Sequence, residues 1–188
     1  MPVISGGVII DGAVQRQQIR VLGSPALGAT TAVHAAVTST GSPLTVTTAI
    51  TNPAVCRNVT ATAGGTNTDI KAIQVVVTGT NHNDEVISET LPAFTVDTAG
   101  TVVGSKAFKT VTSILIPAHD GTGATTAIGT GSKLGLPDKL GYNTIAAAYL
   151  AGTKEGTAPT VAVSSSAVES NTVSLNSALA GTEVAVLY

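Results

Sequence analysis

Ile70-Lys71-Ala72-Ile73-Gln74-Val75-Val76-Val77-Thr78-Gly79-Thr80, then Asn81-His82-Asn83-Asp84, then Glu85-Val86-Ile87-Ser88-Glu89-Thr90-Leu91-Pro92-Ala93-Phe94, is the stretch on which the fold turns. Ile73, Val75 and Val77 recur at period two, so an extended backbone places all three on one face. The polar tetrapeptide between the two runs is turn chemistry, because Asn and Asp tolerate positive φ and hydrogen-bond their own backbone. On the return, Val86, Ile87 and Leu91 supply apolar partners, and Pro92 suits a strand end or an edge. The reading is a β-hairpin.

The pattern continues in both directions. Leu44–Thr51 begins by alternating apolar residues with Thr, is preceded by Pro43 and is closed by Asn52-Pro53, as a half-buried strand would be. Val55–Thr62 reads as a strand with Val55, Arg57, Val59 and Ala61 on one face. Phe108–Pro117 reads as another, with Phe108, Thr110, Thr112, Ile114 and Ile116 sharing a face. Thr95–Ser105 is punctuated by Gly and reads as a turn region with a short strand. The Gly- and Thr-rich passage from His119 to Gly131 offers only a short strand at Thr125–Ile128. Thr144–Leu150 suits a helix or a strand equally, and Thr160–Ser165, Asn171–Leu175 and Glu183–Leu187 read as closing strands. Short strands at regular spacing with Gly, Pro and Asn turns predict an all-β fold, an antiparallel β-sandwich or barrel. Residues 1–30 read as an extended N-terminal arm with a short strand at Ile19–Leu22, and residues 31–188 as a single β-rich domain. An arm carrying Val8, Ile9 and Ile10 cannot bury them by itself and needs its own domain or a neighbouring subunit to lie on.

Composition narrows the function. In 188 residues, 43% are hydrophobic but only 3% aromatic and 11% charged, against about 25% charged in an average domain. Thr fills 30 positions. It is β-branched, which suits a pleated strand, and polar without charge, so Thr-lined faces can meet without desolvating ions. A net charge of −2 gives no basic footprint for nucleic acid. No apolar run approaches the ~20 residues of a membrane helix. The opening lacks the basic residues and long apolar run of a signal peptide, so folding in a cytoplasm is expected.

Chemistry-bearing residues are sparse. His34, His82 and His119 have no metal-ligand spacing. His119-Asp120-Gly121 contains a dyad on paper, but Asp-Gly is first a turn signal. Asn81–Glu85 is rich in oxygen yet lacks the regular ligand alternation of a calcium loop. Cys56, the one cysteine, reads as a small buried hydrophobe. Gly121-Thr122-Gly123 and Gly129-Thr130-Gly131 lack the Lys and the following helix of a phosphate cradle. Asn58-Val59-Thr60 fits a glycosylation sequon by chance. Lys106 and Lys109, flanking Phe108, read as a solvated or edge face. No catalytic residue, metal or cofactor is expected, and the chain does not read as an enzyme.

The run Gly104-Ser105-Lys106-Ala107-Phe108-Lys109-Thr110-Val111-Thr112-Ser113-Ile114, with Ile116-Pro117, Ile128-Gly129-Thr130-Gly131 and Leu134-Gly135-Leu136-Pro137, resembles small virion proteins of tailed bacteriophages. So does the opening Met1-Pro2-Val3-Ile4-Ser5-Gly6-Gly7-Val8-Ile9-Ile10. The likeness spans chiefly residues 70–140 and is one of phrase, not of a catalytic signature. It implies a capsid decoration (cement) protein that binds and stabilises the major capsid protein shell. A homotrimer or another homo-oligomer is implied, located in the virion and assembled in the bacterial host cytoplasm. A tail or head–tail component and a receptor- or carbohydrate-binding module are the alternatives. The expected contact residues are Val8, Ile9 and Ile10 on the arm and His82, Asn83 and Asp84 at the hairpin tip.

Overall fold

Nearly all regular structure is strand, in a computed structural model that describes residues 7–10 and 13–16 as backbone and residues 17–188 with side chains. The strands are β1 (Gly7–Ile10), β2 (Ala13–Arg16), β3 (Ile19–Gly23), β4 (His34–Thr38), β5 (Leu44–Val46) and β6 (Arg57–Gly65). There follow β7 (Val76–Thr80), β8 (Val86–Thr90), β9 (Gly100–Phe108), β10 (Thr110–Ile116) and β11 (Ala124–Gly135). The last are β12 (Ala147–Leu150), β13 (Thr153–Lys154), β14 (Thr160–Ala162), β15 (Thr172–Ser174) and β16 (Val184–Leu187). Single 3-10 turns at Asn67–Asp69 and Val168–Ser170 are the only helical pieces among the described residues. The strand pairs are antiparallel, and the fold is all-β, as its alternation and turns predict.

The expected hairpin forms, paired from Val76 opposite Thr90 to Thr80 opposite Val86, while the outer parts of the two runs, 70–75 and 91–94, lie outside the ladder. Ile73, Val75 and Val77 are buried together. At the tip, the buried Asn81 accepts the backbone N–H groups of Asn83 (2.9 Å) and Glu85 (3.1 Å) on its Oδ1, and Asp84 takes φ +63°. The local turn chemistry is thus built in, with the Asn81 side chain standing in for a further backbone acceptor.

Two sheets close on each other around the first core. One has the order β5-β10-β7-β8, and the other β14-β15-β11-β6-β9, with β4 on the same edge of β11 as β15. Between them lie Val77, Ile87, Ile114 and Ile116 from the first sheet and Val59, Ala61, Phe108 and Ile128 from the second. A third sheet, β13-β12-β16-β3, covers a second core of Leu134, Leu136, Leu140, Ala148, Val173, Val184 and Val186. Strand β11 joins the two, since Ile128 belongs to the first core and Leu134 to the second. The strand expected at Ile19–Leu22 is β3, and it lies on this third sheet through β16.

Several local readings change. Beyond Val46 the expected strand 44–51 does not continue, and Ala49 turns the chain with φ +54°. In β10 the register shifts between Val111 and Ser113, so Val111 is buried ahead of the shift and Ile114 and Ile116 after it. That bulge breaks the single face expected for residues 108–116. In Thr95–Ser105, expected to be a turn region with a short strand, the strand is longer than expected: the nine-residue β9 runs from Gly100 to Phe108, and Phe108 closes it instead of opening the next strand. The ambiguous 144–150 segment is extended, as β12.

The largest difference is β11, twelve residues long and central, where only Thr125–Ile128 was expected to be extended. Its glycines reflect close approach, not flexibility. The segment Gly28–Thr30 crosses over Gly129–Gly131, and a Cβ at Gly129 would stand 2.1 Å from the Ala29 carbonyl oxygen and 2.6 Å from Thr30 Cα. The Thr130 N–H donates to the same Ala29 oxygen (3.1 Å), which fixes the crossing. Gly129-Thr130-Gly131 is therefore a backbone-on-backbone contact and no anion cradle.

Candidate functional site

Strands β1 and β2 pair with each other, with Val8 opposite Gln15, Ile9 opposite Val14 and Ile10 opposite Ala13. They form a two-stranded ribbon that pairs with no third strand among the described residues. The side chains of Val8, Ile9 and Ile10 lie outside the described residues. Only Gln17 and Gln18 separate the ribbon from β3, which is the edge of its sheet. On β3, Ile19 is 66% and Val21 59% exposed, and Leu27 just beyond is 66% exposed. Natural sheet edges are usually guarded by charge, Pro or a covering loop. Here the outward residues are apolar, and the one charge, Arg20, turns to Asp138.

At the opposite turn, His82, Asn83 and Asp84 are all exposed, next to Val86 at 78%. Asp84 is paired with Lys109 Nζ at 2.8 Å.

Most remaining polar side chains tie sheets together. Asn58, fully buried, donates from Nδ2 to the Gly104 carbonyl (3.0 Å) and accepts the Lys133 N–H on Oδ1 (2.9 Å), so the sequon asparagine is unreachable. Glu89 reaches from β8 to β9, where its carboxylate accepts the Ser105 N–H (2.6 Å), the Ser105 hydroxyl (2.8 Å) and the Lys106 N–H (3.2 Å). Arg57 donates to the carbonyls of Ala26 (2.9 Å) and Gly131, pinning the crossing segment to β11. Asp69 accepts the Gly123 N–H (2.7 Å), which fills the Gly121–Gly123 loop with the chain's own carboxylate.

His119 is buried and stacks on Phe94, with ring centroids 6.1 Å apart and planes at 20°. The Lys71 N–H donates to Nδ1 (3.2 Å), which leaves Nε2 to donate to Thr126 Oγ1 (3.0 Å). Burial lowers its pKa against a weaker opposing pull from Asp120. Asp120 itself pairs with Lys71 Nζ (3.0 Å), so the paper dyad does not form. Cys56, expected to be buried, is half-buried beside Gly135, and that burial still pushes its thiol up to about 12, against a small pull from Lys109. Its thiolate population at neutral pH is negligible. A disulfide-exchange reagent is expected to label the folded chain slowly and the urea-unfolded chain at once; equal rates would contradict that burial.

One cluster opens to solvent. Arg20 donates from Nε to Asp138 Oδ2 (3.0 Å) and from Nη2 to Oδ1 (3.3 Å), and Tyr188 Oη donates to Oδ2 (2.5 Å). The three residues line a cleft of about 340 Å³ together with Gln18, Lys139 and Tyr142. Burial draws the Asp138 carboxyl upward, but the bonds from Tyr188 and Arg20 outweigh it and leave its pKa below the ordinary value. Burial and the Asp138 charge raise the Tyr188 phenol. A carboxyl with a lowered folded pKa contributes stability above its unfolded pKa, and loses it as pH falls through the folded value. Asp138→Asn is therefore expected to lower the melting temperature by a few degrees at neutral pH, with the gap closing by ~pH 3. A gap that stays constant with pH would contradict this.

Comparison with known protein families, with curated proteins and with solved structures returned no match. Sequence reasoning missed the cleft because its members come from β3, the loop after β11 and the end of the chain. It also missed the exposed edge, since Ile19–Leu22 gives no sign of which neighbour it lacks.

Proposed function

We propose that this chain is a structural subunit of a tailed-phage virion, a capsid decoration protein that binds the major capsid protein shell as a homo-oligomer, in the first instance a trimer. The observation that carries the assembly reading is the exposed apolar edge of β3 beside a ribbon with no third strand among the described residues. An isolated two-stranded ribbon is marginally stable in water, and an open edge is a template for an added strand. Each feature supplies what the other lacks. The ribbon of one copy adds a strand to the β3 edge of its neighbour, with main-chain hydrogen bonds for affinity and alternate side chains for register.

Burying a residue such as Ile19 or Leu27 stabilises by roughly 1.5–3 kcal/mol each. A single added strand falls short of the ~1,200–2,000 Å² of a standard interface, so the contact extends over the face that carries Leu27. The capsid as partner rests on the resemblance of residues 70–140 to phage virion proteins, and the exposed hairpin tip, His82–Asp84, is the second contact surface. The role is mechanical: many copies add interface area between shell subunits.

Cryo-electron imaging of the particles that carry this chain tests the reading. Density for it on the capsid lattice is the expected result. Density confined to the tail would move it to the tail, and its absence from particles would overturn a virion role.

A further inference from the structure

We infer that the cleft between β3 and the loop after β11 is a saccharide-binding site, independent of the assembly reading. A sugar is recognised by groups that accept from one hydroxyl and donate to the next, beside an aromatic face that covers the ring's C–H surface. The cleft holds both. A carboxylate has about four acceptor sites and a guanidinium five N–H donors. Asp138 uses three of its sites on Arg20 and Tyr188, and Arg20 uses two of its donors on Asp138. One acceptor and several donors stay available on a rigid, bidentate pair, which is the pattern that a vicinal diol needs.

Lys139 and Gln18 add further donors and an amide carbonyl on the same lining, and both are exposed. Tyr142, one of only five aromatic residues in the chain, is 56% exposed there with no core to fill. An aromatic ring left in water at the mouth of a hydrogen-bonding cleft is the stacking surface that a sugar ring uses. The volume of about 340 Å³ sits at the lower end of the range for small-molecule pockets, roughly 300–1,000 Å³, and suits a mono- or disaccharide. Arg20 and Asp138 offset each other's charge, while Lys139 leaves the lining with one positive charge in excess, so an anion is the competing ligand that the test must separate from a polyol.

The test is a nuclear magnetic resonance titration of the full chain with maltose, galactose and N-acetylglucosamine. At least one of them is expected to shift the signals of Lys139, Gly141 and Tyr142, with a dissociation constant of about 1 mM. Tyr142→Ala, a change on an exposed loop residue, is expected to weaken binding at least about tenfold without altering the circular dichroism spectrum. Asp138→Asn is expected to weaken it similarly, and reading its effect at a temperature well below unfolding separates binding from stability. No shift at the cleft with any of the three sugars would overturn the inference. So would Tyr142→Ala binding as tightly as the parent, or inorganic phosphate and acetate producing the same shifts and displacing the sugar, which would mark an anion site instead.

Discussion

Asn171→Asp is expected to lower the stability of the C-terminal half of the molecule by about 3–5 kcal/mol, although the two side chains have the same shape. Asn171 is fully buried between the Val168–Ser170 turn and β15. Its Oδ1 accepts the N–H groups of Leu140 (3.0 Å) and Ser164 (2.8 Å). Its Nδ2 donates to the carbonyls of Ser164 (2.9 Å), Ala167 (2.8 Å) and Val168 (3.4 Å). One amide thus holds two loops against the second core. A carboxylate keeps the acceptor half and turns a second acceptor toward three carbonyl oxygens, and each buried polar group left unpaired costs about 1–3 kcal/mol.

Against a total stability of ~5–15 kcal/mol this is a large fraction, and a drop in melting temperature of about 10 °C or more is the expected reading. The pH dependence identifies the cause. Facing carbonyls in a buried site, the new carboxyl favours its protonated form, so the deficit is largest at neutral pH and shrinks as pH falls through its raised folded pKa. A variant as stable as the parent at neutral pH would contradict the assignment.

Gly129→Ala is the second large effect. The added methyl would sit 2.1 Å from the Ala29 carbonyl oxygen and 2.7 Å from the Thr30 carbonyl carbon, and neither is a side-chain end that can swing away. Either the 28–30 segment lifts off β11 or the central strand distorts, at a cost near the upper end of overpacking, about 3 kcal/mol. Lifting the segment also strains the Arg57 bonds to Ala26 and Gly131. Gly100→Ala is the control. It also lies in a strand, but its new Cβ would meet nothing within 4 Å, so the urea midpoint should hold or rise slightly. Equal midpoints for the two variants would contradict the crossing.

These two positions show what one chain of letters conveys and what it withholds. The hairpin was legible because Ile73, Val75 and Val77 alternate, and because Asn81 and Asp84 carry turn chemistry within a few residues of where it acts. Strand β11 was not, because Gly129 and Gly131 are poor strand formers, and their use depends on distant partners, the 28–30 segment for Gly129 and the Asn58 side chain for Gly131. The same holds for Asn171, Asn58 and Glu89, single polar letters whose partners lie in other sheets. The bulge at Val111–Ser113 flipped a face that period two alone extends through. Of the residues expected to make contacts, His82–Asp84 are exposed at the tip where turn chemistry put them. The apolar exposure of Ile19, Val21 and Leu27 emerges only once the sheet order is known.

The low charge and high Thr content acquire a structural meaning from this arrangement. Thr62 with Thr101 and Thr80 with Thr110 share hydroxyl hydrogen bonds at 2.8 Å across neighbouring strands, so sheet faces cohere without ion pairs. Such faces suit repeated contacts between identical subunits.

Sedimentation velocity on the full chain, on a chain lacking residues 1–16, and on a Val21→Lys variant tests assembly through the ribbon. A closed oligomer, a trimer in the first instance, is expected for the full chain at micromolar concentration, and folded monomers for the other two. A full chain that stays monomeric at every concentration, or a truncated chain that still forms the same oligomer, would contradict assembly through the ribbon and the β3 edge.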